Sequence, residues 1–154
     1  FGYFQFMPST MKNYAIDYDK NSYIDLKNNN DAYASAANYL SQIGWNDKLP
    51  CFYKINLLND VPKKYLNVSA KKLHNKKKLK YFRKYISDEY ILDKKFDNLT
   101  TSLITPDKDI IPDAETLSPA YIVFDNYEII LKWNRSLRFS LAVCTLKDKL
   151  KNEL

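Results

Sequence analysis

The chain has 154 residues, 45% hydrophobic and 27% charged, with a formal net charge of +6 and a pI near 9.1. That length suits one ordinary domain or part of one and is short for two. No apolar run approaches the roughly 18 residues needed to cross a bilayer as a helix, and the basic balance makes an anionic partner chemically reasonable.

The chain starts at Phe1 rather than Met and lacks a charged n-region, an apolar h-region and a cleavage site, so an intact primary product with nothing ahead of it is not expected. Pro8 suits the first turn of a helix, with Ser9 or Thr10 satisfying the free amides and the helix running to about Tyr14. The aromatic and apolar residues ahead of it, Phe6 and Met7 included, are expected to pack inward. From Ile16 to Asp31 the chain is polar, dense in Asp and Asn, and reads as a loop. Ala32, Ala36, Tyr39, Leu40 and Ile43 then share one face of a second helix, with Asn29 or Asn30 as caps and Gly44 as its stop.

Residues 51–105 show no single period and predict a short strand or two and one or two helices. Eight Lys/Arg fall between Lys71 and Lys84. They read as the solvated face of a surface helix rather than a nucleic-acid site, because no recognised RNA- or DNA-binding motif accompanies them. His74, inside that run, reads as a solvated histidine. From Ala120 to Trp133 the β-branched and aromatic mix suits a strand or a buried helix, and periodicity does not choose between them. A last helix begins near Asn134 or Ser136, with Phe139, Val143, Leu146 and Leu150 along one stripe. Cys51 and Cys144 lack metal-ligand spacing. Sequence supplies no geometry for a disulfide and leaves one open, and Cys144 reads as a small buried hydrophobe. The sum is a mainly α, α+β fold with a small β element.

Three patterns carry chemistry. Asp17, Asp19, Asn21 and Tyr23 alternate along one tight loop, and Asp31 follows on the next helix. Carboxylates so placed converge their oxygens on one point, a donor set suited to weak, structural Ca²⁺. Asn21 in place of a charged ligand and Ser22 in place of glycine argue for the alternative, an Asx-turn loop without metal. Gln5 offers a carbonyl and two amide protons to the N-acetyl and hydroxyl groups of an amino sugar. Trp133 offers an aromatic face to a pyranose ring, with a core role as its alternative, and Asn134 offers an amide to an acetamido group.

Gly2-Tyr3-Phe4-Gln5-Phe6-Met7-Pro8-Ser9-Thr10 and Lys132-Trp133-Asn134-Arg135-Ser136 together resemble the glycan-cleft signatures of the membrane-bound lytic transglycosylase B family. Asp31-Ala32-Tyr33-Ala34-Ser35-Ala36-Ala37-Asn38-Tyr39-Leu40 with Gly44-Trp45, Asn126-Tyr127, and Leu141-Ala142-Val143 are similar to it as well. The similar stretches span about residues 1–50 and 117–150. The resemblance implies a lysozyme-like domain of which residues 1–154 form the C-terminal part. Residues 1–50 carry the first cleft motif, an EF-hand-like loop and its helix. Residues 51–116 are a divergent basic insert, and 117–154 the second cleft motif and terminal helix.

By the same resemblance Gln5, Trp133 and Asn134 line the glycan site, and Phe139 stands where the family often has Tyr. Asp17, Asp19, Asn21, Tyr23 and Asp31 form the loop's ligand set, with Asp31 as its late final ligand. The family cleaves the β-1,4 bond between N-acetylmuramic acid and N-acetylglucosamine without adding water. One glutamic acid protonates the leaving oxygen and then takes the C6 hydroxyl proton as that oxygen attacks, leaving a 1,6-anhydro sugar. That glutamate belongs upstream of the Gln5 motif, ahead of Phe1. Glu89, Glu115, Glu128 and Glu153 lack its surroundings, so these residues alone are expected to be inactive, with no catalytic residue of their own. A binding-only remnant that holds peptidoglycan or calcium is the alternative. The implied setting is a monomer in the periplasm, tied to the outer membrane by a lipidated N-terminal cysteine in preceding sequence. Its partner is peptidoglycan and not nucleic acid.

Overall fold

A computed structural model describes residues 1–108 and 111–153, in two compact units, Phe1–Asn46 and Asp47–Leu154. The first unit holds helices α1 (Pro8–Tyr14) and α2 (Asn29–Gln42) with the polar loop between them. Proline opens α1, but its N-cap is Met7, with no side-chain cap. Ser9 and Thr10 lie inside the first turn and do not cap it. The expected inward packing ahead of α1 holds for Phe6 only in part of its motif: Phe6 is buried, while Phe1, Tyr3 and Met7 face solvent, Met7 at 67%. Phe6 packs edge-on against Tyr39 of α2, and Tyr14 meets the same ring at 5.0 Å.

The cap of α2 is Asn28, one residue earlier than expected, whose Oδ1 accepts from Asn30 N at 2.8 Å. Ala32 and Ala36 form its buried face. Gly44, at φ +104°, turns the chain after the helix in a conformation that favours glycine.

The second unit is built on a sheet. Its strands are β1 (Phe52–Ile55), β2 (Leu66–Asn67), β3 (Lys77–Lys78), β4 (Thr100–Ile104) and β5 (Ala120–Val123). The order is β1-β5-β4-β2, with β3 also on β4; β5 is antiparallel to both neighbours and β2 is parallel to β4. Helices α3 (Leu79–Phe82), α4 (Asp125–Trp133) and α5 (Leu137–Glu153) complete it. The architecture is α+β, as the sequence implies, but with more strand than a short strand or two.

Leu103 and Ile122, paired across β4 and β5, are fully buried with Leu79 and Phe82. Each such side chain contributes about 1.5–3 kcal/mol by leaving water. The ambiguous segment from Ala120 to Trp133 is strand and helix in succession, divided at Phe124. β-branched Ile122 and Val123 suit the sheet, and Asp125 and Glu128 favour the positive start of α4.

Two expectations are corrected here. The lysine run is not a surface helix: Lys77 and Lys78 pair with Thr101 and Thr100, and only the four residues of α3 follow as α-helix. Buried Asn67 prevents a helix there by taking over the backbone. Its Oδ1 accepts His74 N at 2.7 Å, and its Nδ2 donates to Leu103 O at 2.9 Å. In α5 the apolar stripe faces outward, with Phe139, Leu146 and Leu150 exposed, while Leu137, Ser140 and Cys144 are buried. The two cysteines decide that rotation. Cys51, just before β1, and Cys144 form a disulfide with a Cα separation of 6.0 Å.

Candidate functional site

The polar loop closes on itself through carboxylates. Asp17 Oδ1 and Oδ2 accept from Asn21 N at 3.1 Å and Ser22 N at 2.7 Å, and Asp19 Oδ1 accepts from Asn21 N at 3.1 Å. Ser22 sits at φ +69°, the position where glycine would be unstrained. Asp31 reaches back from the first turn of α2, fully buried, and its two oxygens accept from Tyr18 N and Asp25 N at 2.9 Å. Those backbone donors, Asp25 first, hold its carboxyl below the ordinary value of 3.8.

One oxygen each of Asp17, Asp19 and Asp31 lies within 4.8 Å of the others. Hard anionic oxygens so gathered fit a cation of the Ca²⁺ type. Of the other two residues of the expected set, Asn21 Oδ1 accepts from Tyr23 N at 2.9 Å, and the Tyr23 ring is 69% exposed. The same hydrogen bonds are those of an Asx-turn loop.

The Gln5 segment is fastened to the far end of this loop. Tyr3 N donates to Leu26 O at 3.0 Å, and Gly2 lies so close that a Cβ there would meet Leu26 Cβ and O at 2.3 Å. Gln5 follows at φ +51°, exposed, with Nε2 donating to Gly2 O at 2.8 Å. Its carbonyl and one amide proton remain for a ligand.

In the second unit the Trp133 to Ser136 turn links α4 to α5. Buried Tyr127 donates its hydroxyl to Leu137 O at 2.7 Å, and Asn134 N donates to Ile130 O at 3.0 Å. Burial pushes the Tyr127 phenol up, so it stays a proton donor. Ser136 Oγ caps α5 by accepting from Phe139 N at 3.2 Å. Trp133 is thereby half-buried, Asn134 stands exposed on extended backbone, and Phe139 is 39% exposed one turn further on. Trp133 and Asn134 lie at the α4–α5 junction and Phe139 on the first turn of α5, while Gln5 belongs to the other unit.

Glu89, Glu115 and Glu153 are exposed, and Glu128, at 25% exposure, is ion-paired with Lys76. None is the desolvated carboxylic acid that general-acid chemistry on a glycosidic oxygen calls for.

A family model described as "Transglycosylase SLT domain" matches residues 1–148. The chain belongs to that family. Membrane-bound lytic murein transglycosylase B of Escherichia coli is 48% identical over 44 residues, which cover 29% of this chain and 12% of that protein. SltB3 from Pseudomonas aeruginosa, solved in complex with NAG-anhNAM-pentapeptide, aligns with a TM-score of 0.79 at 28% identity, over 96% of this chain and 37% of its own. Escherichia coli Slt35, solved in complex with calcium, shares the fold with a TM-score of 0.67 at 22% identity, over 94% of this chain and 42% of its own. This transglycosylase-family chain thus spans well under half the length of these relatives.

One cluster escaped the sequence reading. Tyr65 and Tyr81 share a hydroxyl hydrogen bond of 2.8 Å across sixteen residues of sequence. Lys64 Nζ lies over the Tyr65 ring at 5.2 Å, and Lys77 and Lys84 Nζ over the Tyr81 ring at 5.5 and 4.7 Å. The bond to Tyr81 first, then burial, pushes the Tyr65 phenol up to about 12, while that bond and the lysines hold Tyr81 below its usual value. Only the density of lysines announced it; the ring pairing has no local signature.

Proposed function

We propose that the chain is the glycan-holding part of a peptidoglycan lytic transglycosylase, which cleaves the MurNAc-β-1,4-GlcNAc bond and leaves 1,6-anhydromuramyl ends. The observation that carries this reading is the hydrogen-bonded α4–α5 turn with Asn134 exposed beside half-buried Trp133, in a chain of the transglycosylase family. Trp133 and Phe139 supply apolar surface for the C–H faces of the sugars, and Asn134 an amide for an acetamido group. Gln5, in the first unit, offers its side-chain carbonyl and an amide proton to a sugar. A glutamate upstream of the Gln5 motif acts first as acid and then as base.

Residues 1–154 alone bind glycan without turnover, since each of their glutamates is exposed or ion-paired. Calcium, held weakly by Asp17, Asp19 and Asp31 with main-chain help from Tyr23, fixes the loop to which the Gln5 segment is fastened and takes no part in the chemistry. The disulfide supports an oxidising compartment, and the periplasm is the one where a peptidoglycan enzyme works. The protein acts as a monomer there, with any membrane attachment made outside these residues.

Purified sacculi test the reading through the anhydromuropeptides they release. Residues 1–154 alone should release none, while the protein with its upstream sequence should be active. There, Asn134→Ala should lower kcat/KM by about 10- to 100-fold, the cost of an unmade hydrogen bond in the transition state. Release by residues 1–154 alone would overturn the missing-acid reading. An inert longer protein would favour the binding-only remnant.

A further inference from the structure

The excess positive charge of the chain sits in one stretch. Between Val61 and Ser87 there are ten Lys/Arg and no Asp/Glu, which leaves fourteen cations against eighteen acids elsewhere, a net of −4. A chain net acidic elsewhere and strongly basic in one segment has its cations there for a partner or for solubility alone. Within the segment the side chains divide. Lys76 and Arg83 are neutralised by Glu128 and Asp97. Lys64, Lys77 and Lys84 form no ion pair among the described residues, yet they converge on the Tyr65–Tyr81 pair. Their ammonium groups are held in place by ring faces rather than by carboxylates, so they keep their full charge available.

The surroundings select among polyanions. Leu73, Leu79 and Phe82 are at most 3% exposed, Leu66 and Val68 are half-buried, and no large apolar side chain between Lys64 and Lys84 stands exposed for insertion into a bilayer. Tyr65 is buried, Tyr81 packs edge-on against Phe82 and Tyr85, and the lysines lie over the rings, so no open aromatic face awaits a nucleobase. What remains is a hydrated surface of fixed cations and phenolic hydroxyls, matched to a water-filled polymer bearing carboxylates.

We infer that Lys64, Lys77 and Lys84 form a docking surface, separate from the Trp133–Asn134 turn, for the stem-peptide carboxylates of the peptidoglycan network. The inference rests on the proposed function, from which the identity of the polymer comes. Its role is retention: carboxylates on neighbouring strands hold the protein at the wall while the glycan site engages and releases.

Co-sedimentation of the protein with purified sacculi, intact or with their carboxylates chemically amidated, tests it. The protein should bind intact sacculi about tenfold more tightly than amidated ones, with the difference fading as salt rises. A triple variant, Lys64→Gln with Lys77→Gln and Lys84→Gln, should lose that difference, and the corresponding Lys→Arg triple should keep it, which separates charge from folding. Equal binding of the Gln triple and the parent to intact sacculi would overturn the inference and leave the glycan reading standing. Absence of binding to either kind of sacculus would overturn both. Tighter binding to anionic lipid vesicles or to DNA than to sacculi would assign the surface to another polyanion and overturn the inference.

Discussion

At the scale of single residues, two positions govern the first unit. Gly2 sits at φ +66° with Leu26 atoms 2.3 Å from where a Cβ would stand. Gly2→Ala should therefore cost about 1–3 kcal/mol or detach the Gln5 segment, read by denaturant unfolding and by loss of amide-exchange protection at Tyr3. Asp31 is the second. Its carboxyl is held below 3.8 in the folded protein by backbone donors, so its contribution is fully present above that pH and is lost as pH falls through the lower folded value. Asp31→Asn should lower the melting temperature at pH 7, and the gap from the parent should close as pH falls through the depressed folded value. Millimolar Ca²⁺ should raise the melting temperature of the parent and not of Asp31→Asn. Equal calcium responses in the two proteins would remove the metal from the account.

At the scale of elements, the sequence was readable where one local rule ruled alone. Pro8 and Gly44 bounded their helices, and the alternating Asp17, Asp19 and Asn21 marked the carboxylate loop. It was unreadable where a distant partner decided. Asn67 is one polar residue among many, and nothing local says that it fastens His74 and Leu103. Without that clamp the lysine run has helix-forming composition, which is why it read as one. The outward stripe of α5 has the same cause, since a covalent tie to Cys51 turns Cys144 inward against the hydrophobic pattern. That tie closes a loop of 93 residues. Replacing both cysteines, Cys51→Ala with Cys144→Ala, should cost about 2–4 kcal/mol by freeing the unfolded chain. Urea midpoints measured with and without reductant check it: the parent should weaken under reductant, and the double variant should not change.

At the scale of the whole molecule, the two motifs that suggest a sugar site each lie on a segment held by hydrogen bonds, one in each unit. Gln5 is pinned beside the carboxylate loop, and Asn134 stands on a braced turn. The acid that the chemistry needs has no counterpart among the glutamates of residues 1–154, and charge gathers away from that turn's own residues, on the Lys64 to Lys84 segment. On the proposed function, binding and proton transfer are separable duties, the first carried by these residues and the second by a glutamate upstream of the Gln5 motif. Glycan binding, on this proposal, centres on the α4–α5 turn that carries Asn134. A crystal structure of the complete protein with NAG-anhNAM-pentapeptide tests it most directly. The Asn134 amide should be in hydrogen-bond contact with the bound glycan. A ligand seated away from Asn134 would contradict it.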